Sequence, residues 1–142
     1  MTAEISRKYS FAAAHRLHST RLSDEENRAI YGKCNNPYGH GHDYEVELRV
    51  RGKVDPRTGV VAALDLLDQV AEKSFLAPFR FRDLNEIDAF RHAVPTTENL
   101  ASEIFERLRA GWDSVFGVDG PRLKSVRIAE TDRNICEITA KG

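Results

Sequence analysis

The stretch His40-Gly41-His42-Asp43-Tyr44-Glu45-Val46-Glu47-Leu48-Arg49-Val50-Arg51 decides how the chain folds. From His42 onward, Tyr44, Val46, Leu48 and Val50 alternate with Asp43, Glu45, Glu47 and Arg49. Side chains two apart on an extended chain share a face, so this is a strand with one face in a core and one in water. By the same rule His40 and His42 project together, and two such imidazoles can grip one ion. Gly41 removes a side chain from the opposite face.

The preceding strand supplies a partner. Ile5 to Ala14 carries Tyr9, Phe11 and Ala13 on alternate positions, and His15 ends it in phase with them. If the two strands pair, His15 reaches the same ion; His18 is equally available, and strand phase selects His15. Three neutral imidazoles leave a fourth position on a metal open, the pattern of a catalytic rather than a structural zinc site. Cys34 lies six residues before His40, in a loop long enough to fold back over the metal. It has three possible roles: a fourth ligand closing the site, a thiolate base or nucleophile activated by the metal and Lys33, or an inert buried thiol. Cys136, beside Ile135 in an apolar strand, is assigned to packing.

Residues 16 to 40 are polar and irregular, with Ser23-Asp24-Glu25-Glu26-Asn27 starting a short helix; a loop this long in a compact domain is often functional. Asp55-Pro56-Arg57-Thr58-Gly59 is a turn, and Val60 to Leu64 reads as a returning strand. Leu64, Leu67, Val70 and Ala71 follow helical spacing to about Phe75. Pro95-Thr96-Thr97-Glu98 begins a second long helix, capped by threonine, with a stripe at Leu100, Ile104, Leu108 and Trp112. Strands at Leu123 to Glu130 and Ile135 to Thr139 flank the turn Thr131-Asp132-Arg133-Asn134. The expectation is an α+β domain, an antiparallel sheet with helices on one face.

The 142 residues fit a single domain spanning 1–142. A net charge of −1, with acids and bases interspersed, lacks the basic stripe of a nucleic-acid binder. No apolar run reaches membrane-spanning length, and the N-terminus lacks the apolar core of a secretory signal. A cytoplasmic chain with free thiols is the expectation.

Together these segments resemble the 6-pyruvoyl-tetrahydropterin synthase / 6-carboxy-tetrahydropterin synthase family along nearly the whole chain. The resemblance is carried by Ser10-Phe11-Ala12-Ala13-Ala14-His15-Arg16-Leu17, Leu22 to Asn27, Gly32-Lys33-Cys34-Asn35-Asn36-Pro37-Tyr38-Gly39-His40-Gly41-His42, Asp55-Pro56-x-Thr58-Gly59, Pro95 to Asn99 and Glu130-Thr131-Asp132-x-Asn134. The five residues between Cys34 and His40 favour the 6-pyruvoyl branch. The resemblance implies a tunnelling fold (T-fold): four-stranded sheets with two helices each, closed into a barrel by oligomerisation as a homohexamer, a dimer of trimers. It implies Zn2+ on His15, His40 and His42. Glu130 anchors a pterin substrate with help from Thr96 and Thr97, and Cys34 is the thiolate base. The implied reaction is conversion of 7,8-dihydroneopterin triphosphate to 6-pyruvoyl-tetrahydropterin with release of triphosphate.

One piece departs from the family pattern. Arg80 and Phe81, in Pro78-Phe79-Arg80-Phe81-Arg82-Asp83, stand where the family carries an Asp-His pair. Phenylalanine transfers no proton and arginine stays charged. Three readings follow. The family reaction persists with His92 or Asp83 as substitute; a related lyase acts on the side chain of another dihydropterin, with Arg80 free to bind an anion; or the protein is a non-catalytic zinc- and pterin-binding homologue.

Overall fold

The computed structural model describes residues 1–141. Four strands, β1 (Thr2–His15), β2 (His40–Lys53), β3 (Arg122–Ala129) and β4 (Ile135–Thr139), form one antiparallel sheet in sequence order. Helix α1 (Asp24–Tyr31) lies in the long β1–β2 connection. Helix α2 (Leu64–Ala71) continues through a wider turn, Glu72–Leu76, into a last turn at Ala77–Phe79, and α3 spans Thr97–Phe116.

The alternation in β2 is realised completely: Tyr44, Val46, Leu48 and Val50 are fully buried. Onto that face pack Leu67, Val70, Phe75 and Phe79 from the α2 region and Leu100, Ile104, Leu108 and Trp112 from α3. Burying such side chains yields about 1.5–3 kcal/mol each, which holds the helices on that face. The other face is lined by cross-strand charges, among them Lys8–Glu45, Arg49–Glu4, Arg49–Glu137 and Arg127–Glu47.

The expected strand at Val60 to Leu64 is a correction. Residues 60–63 form no strand; Val61 and Ala62 insert into the core and α2 starts at Leu64. The physical reason lies in β2, whose two edges are taken by β1 and β3, so a returning segment has no edge to pair with.

The loop before β2 is held by asparagines. Buried Asn27 accepts from the Ser19 N–H (2.7 Å) and donates to the Ser19 and Ser23 carbonyls (2.9 and 3.0 Å). Helix α1 opens on a complete capping box: the Ser23 hydroxyl accepts from the Glu26 N–H, and the Glu26 carboxylate accepts from the Ser23 N–H. An eight-residue helix is marginal alone. Ser23→Ala is therefore expected to lower the protection of the α1 amides by about 1 kcal/mol in hydrogen exchange. Unchanged protection would show that tertiary contacts alone hold α1.

Candidate metal centre

The register of β1 against β2 assembles the histidines. His15 pairs directly with His40, Ala13 with His42, and Phe11 with Tyr44. The small Ala13 leaves the space opposite His42 open to the His15 ring. Ring centroids lie 4.9 Å apart for His15–His40, 4.9 Å for His15–His42 and 4.6 Å for His40–His42. Gly39 is the glycine this approach requires: its φ is +71°, and a Cβ there would meet the His15 carbonyl oxygen at 3.1 Å. At Gly41 a Cβ would make only an ordinary contact, 3.8 Å from the Ala13 carbonyl.

Buried polar atoms between these rings lack partners. His15 Nε2, His42 Nε2 and Glu130 Oε1 are buried without hydrogen-bond partners. Glu130 Oε1 lies 3.3 Å from His15 Nε2 and 3.6 Å from His42 Nε2. Leaving such atoms buried and unpaired costs free energy; a cation satisfies the two imidazole nitrogens, and a hydrogen-bond donor of a molecule bound beside it satisfies Glu130. Burial pushes the imidazoles of His15 and His42 below the usual histidine range, so both are neutral donors near pH 7. The residues fit a metal ion.

Two groups flank the histidines. The Cys34 sulfur approaches His15 and His40, and the Glu130 carboxylate approaches His15 and His42, the ligand atoms of each trio lying within 4.8 Å of one another. Cys34 sits on a single 3₁₀ turn, Gly32–Asn35, pinned by Leu17 N–H to Cys34 C=O at 2.7 Å and by the Asn35 amide to Leu17 C=O at 2.8 Å. Burial, and secondarily the Glu130 carboxylate, push its thiol up, so the chain by itself favours the neutral thiol. Lys33 lines a cavity with Arg16 and Arg28. Cys136 is half-buried, opposite Ile128, and both cysteines are free thiols.

Glu130 directly follows β3 and is steered by Asn134, whose amide donates to Glu130 Oε2 (2.8 Å) and to the Thr97 hydroxyl (3.0 Å). Thr97 is buried in the first turn of α3, while the Thr96 hydroxyl is spent on the helix cap, accepting from Asn99 N–H at 3.1 Å. Thr97, Glu130 and the histidines thus share one region.

The Arg80 guanidinium makes two exposed hydrogen bonds to Glu72, at 2.9 and 2.8 Å. The helical chain between them brings residue 80 back beside residue 72. Phe81 is 81% exposed with φ +59°, an uncommon conformation for a bulky side chain. Backbone bonds from Phe81 N–H to Ala12 C=O (2.7 Å) and from Ala14 N–H to Arg82 C=O (3.0 Å) hold it against the end of β1. The Asp83 carboxylate accepts from Asn85 N–H, and His92 is exposed beside a cavity it shares with His18. Neither belongs to the metal-ligating groups among the described residues.

Sequence reasoning missed Tyr44 as a neighbour of the candidate metal ligands. Its hydroxyl lies 3.1 Å from His15 Nδ1, and the Pro95 carbonyl lies 3.0 Å from the same nitrogen. A polar tip on an otherwise apolar strand face was the available signal.

The comparisons agree with this architecture. The profile of the family described as "6-pyruvoyl tetrahydropterin synthase" matches residues 4–141. A Poecilia reticulata protein named 6-pyruvoyl tetrahydrobiopterin synthase is 47% identical over 132 residues, covering 92% of this chain and 86% of that protein. The Homo sapiens protein of the same name is 43% identical over 134 residues, covering 94% and 88%. The structure of Caenorhabditis elegans 6-pyruvoyl tetrahydropterin synthase superposes with a TM-score of 0.87 at 38% identity, covering 99% of this chain and 97% of that one.

Proposed function

The chain belongs to the 6-pyruvoyl tetrahydropterin synthase family, and from that membership we propose that it is a zinc-dependent lyase converting 7,8-dihydroneopterin triphosphate to 6-pyruvoyl-tetrahydropterin with release of triphosphate. The observation that carries the proposal is the set of unpartnered donors on His15, His42 and Glu130, with the Cys34 thiol alongside.

His15, His40 and His42 would hold zinc, the metal suited to three neutral imidazoles with one open position. When bound, it supplies Lewis acidity toward side-chain oxygens of the substrate, which makes the neighbouring C–H protons more acidic. Glu130 accepts hydrogen bonds from the guanidine-like edge of the pterin, and Asn134 and Thr97 fix its orientation. Cys34 carries the proton while the side chain tautomerises and triphosphate departs. Asp83 and His92 remain the nearest candidates for the function of the absent Asp-His pair.

The active form we propose is a cytoplasmic homohexamer, with barrels closed by pairing between chains. The sheet order supports it, because β1 and β4 are edge strands with room for a partner.

Arg80 and exposed Phe81, standing where the family carries its Asp-His pair, favour one second reading, a related lyase acting on another dihydropterin side chain. Loss of one acid-base group typically lowers a rate by about 10²–10⁴ without abolishing it. Zinc-loaded protein incubated with 7,8-dihydroneopterin triphosphate is expected to release triphosphate and a 6-pyruvoyl product. Pterin binding without triphosphate release would overturn the reaction assigned here and direct the test to unphosphorylated dihydropterins. Absence of pterin binding would overturn both readings.

A further inference from the structure

Tyr44 occupies a place where the fold has no use for a hydroxyl. The residue is 0% exposed, between apolar neighbours, and its ring stacks on Phe11 with centroids 5.3 Å apart. Phenylalanine would fill the same space, and burying a phenolic oxygen among apolar groups costs free energy unless it is paired. Its partner is His15 Nδ1, at 3.1 Å. The Tyr44 ring also lies edge-on to His42 and His15, with centroids 5.7 and 6.2 Å apart.

His15 Nδ1 faces two oxygens, Tyr44 Oη and the Pro95 carbonyl at 3.0 Å. A carbonyl only accepts, so the proton of the neutral imidazole resides on Nδ1. That leaves Nε2 with its lone pair directed at the ligand cluster, where it has no hydrogen-bond partner. The Pro95 carbonyl precedes the cap of α3, so the helix on one side and the central strand on the other fix the plane of the ring.

We propose that Tyr44 is a positioning residue for the metal, acting through His15. Its hydroxyl oxygen and the Pro95 carbonyl hold the Nδ1–H, fix the tautomer and aim Nε2. Outer partners of this kind typically carry 10- to 100-fold in metal affinity. The role concerns the metal centre and stands whatever pterin chemistry the centre performs.

The test is Tyr44→Phe beside Tyr44→Leu, with zinc affinity read by competition with a chromophoric chelator and metal-free stability read by thermal melting. Tyr44→Phe is expected to weaken zinc binding about tenfold or more, with a metal-free melting temperature no lower than that of the unsubstituted protein. The visible spectrum of the cobalt-substituted protein should shift with it. Zinc affinity within about threefold of the parent, or a metal-free protein destabilised by Tyr44→Phe, would overturn the proposal and leave Tyr44 a packing residue. An independent reading needs no variant: long-range proton–nitrogen NMR of the zinc-loaded protein should show His15 protonated at Nδ1. A proton on Nε2 would overturn it. Tyr44→Leu separates the ring from the hydroxyl; affinity lost only in Tyr44→Leu would assign the effect to packing.

Discussion

His40→Ala is expected to strip the metal from the protein and lower turnover by about 10³ or more, because the remaining imidazoles lose a donor from a three-nitrogen set. His40 is the informative choice among the three. His15 is buried at the junction of β1, β2 and the start of α3, and removing it also leaves Tyr44 and the Pro95 carbonyl without their partner. A fall in activity at that position would mix chemistry with folding. His40 is only half-buried at the start of β2, so its loss leaves the core face of Tyr44, Val46, Leu48 and Val50 intact. Metal per chain, measured on protein purified without added zinc, should fall to about a tenth or less of the parent value. Normal metal content in His40→Ala would place the ion elsewhere and sink the three-histidine site.

Cys34→Ala is expected to separate chemistry from metal binding: turnover falls by about 10²–10⁴ while metal content stays at the parent level. The sulfur lies close enough to His15 and His40 either to ligate or to exchange protons with a molecule bound beside them. The two roles predict different losses. A fourth ligand, once removed, weakens metal binding; a proton carrier, once removed, slows turnover with the metal in place. Loss of metal in Cys34→Ala would make Cys34 a ligand of a closed site, which has no open position for substrate. Unchanged turnover would remove Cys34 from the mechanism altogether.

The two predictions are independent because the residues come from different parts of the chain. His40 is set by β2 and its register with β1. Cys34 is set by a 3₁₀ turn tied through Asn35 to the backbone at Leu17. A substitution at either position should therefore leave the other group's support in place.

Much of this was legible in the sequence because it depends on local periodicity. The alternation from His42 to Arg51 specified β2 and its buried face, and the i, i+4 stripe from Leu100 to Trp112 specified α3; the helix starts near Ser23 and at a threonine after Pro95 were also legible, and the structure places the caps at Ser23 and Thr96. The phase of His15 with Phe11 and Ala13 was enough to prefer it to His18, because a strand fixes which side chains share a face. Val60 to Leu64 failed as a strand for the converse reason. Local alternation cannot tell whether a free edge exists, and β1 and β3 occupy both edges of β2.

Tertiary structure alone decided how the groups around the histidines meet. Glu130 and Asn134 come from the β3–β4 turn, Thr97 and the Pro95 carbonyl from the start of α3, and Tyr44 from below the ligands on β2. Sequence separations of 80 residues between His15 and Pro95, and 37 between Thr97 and Asn134, carry no periodic signal. The same holds for Arg80: its residue type was plain, but only the helical chain from Glu72 brought the two into an ion pair. The sequence by itself determined the four strands of the sheet, the helices and the chemical identity of the candidate ligands, through interactions between near neighbours. The packing of α3 against the sheet decided which lone pairs meet, because contacts between distant segments form only when the whole core does.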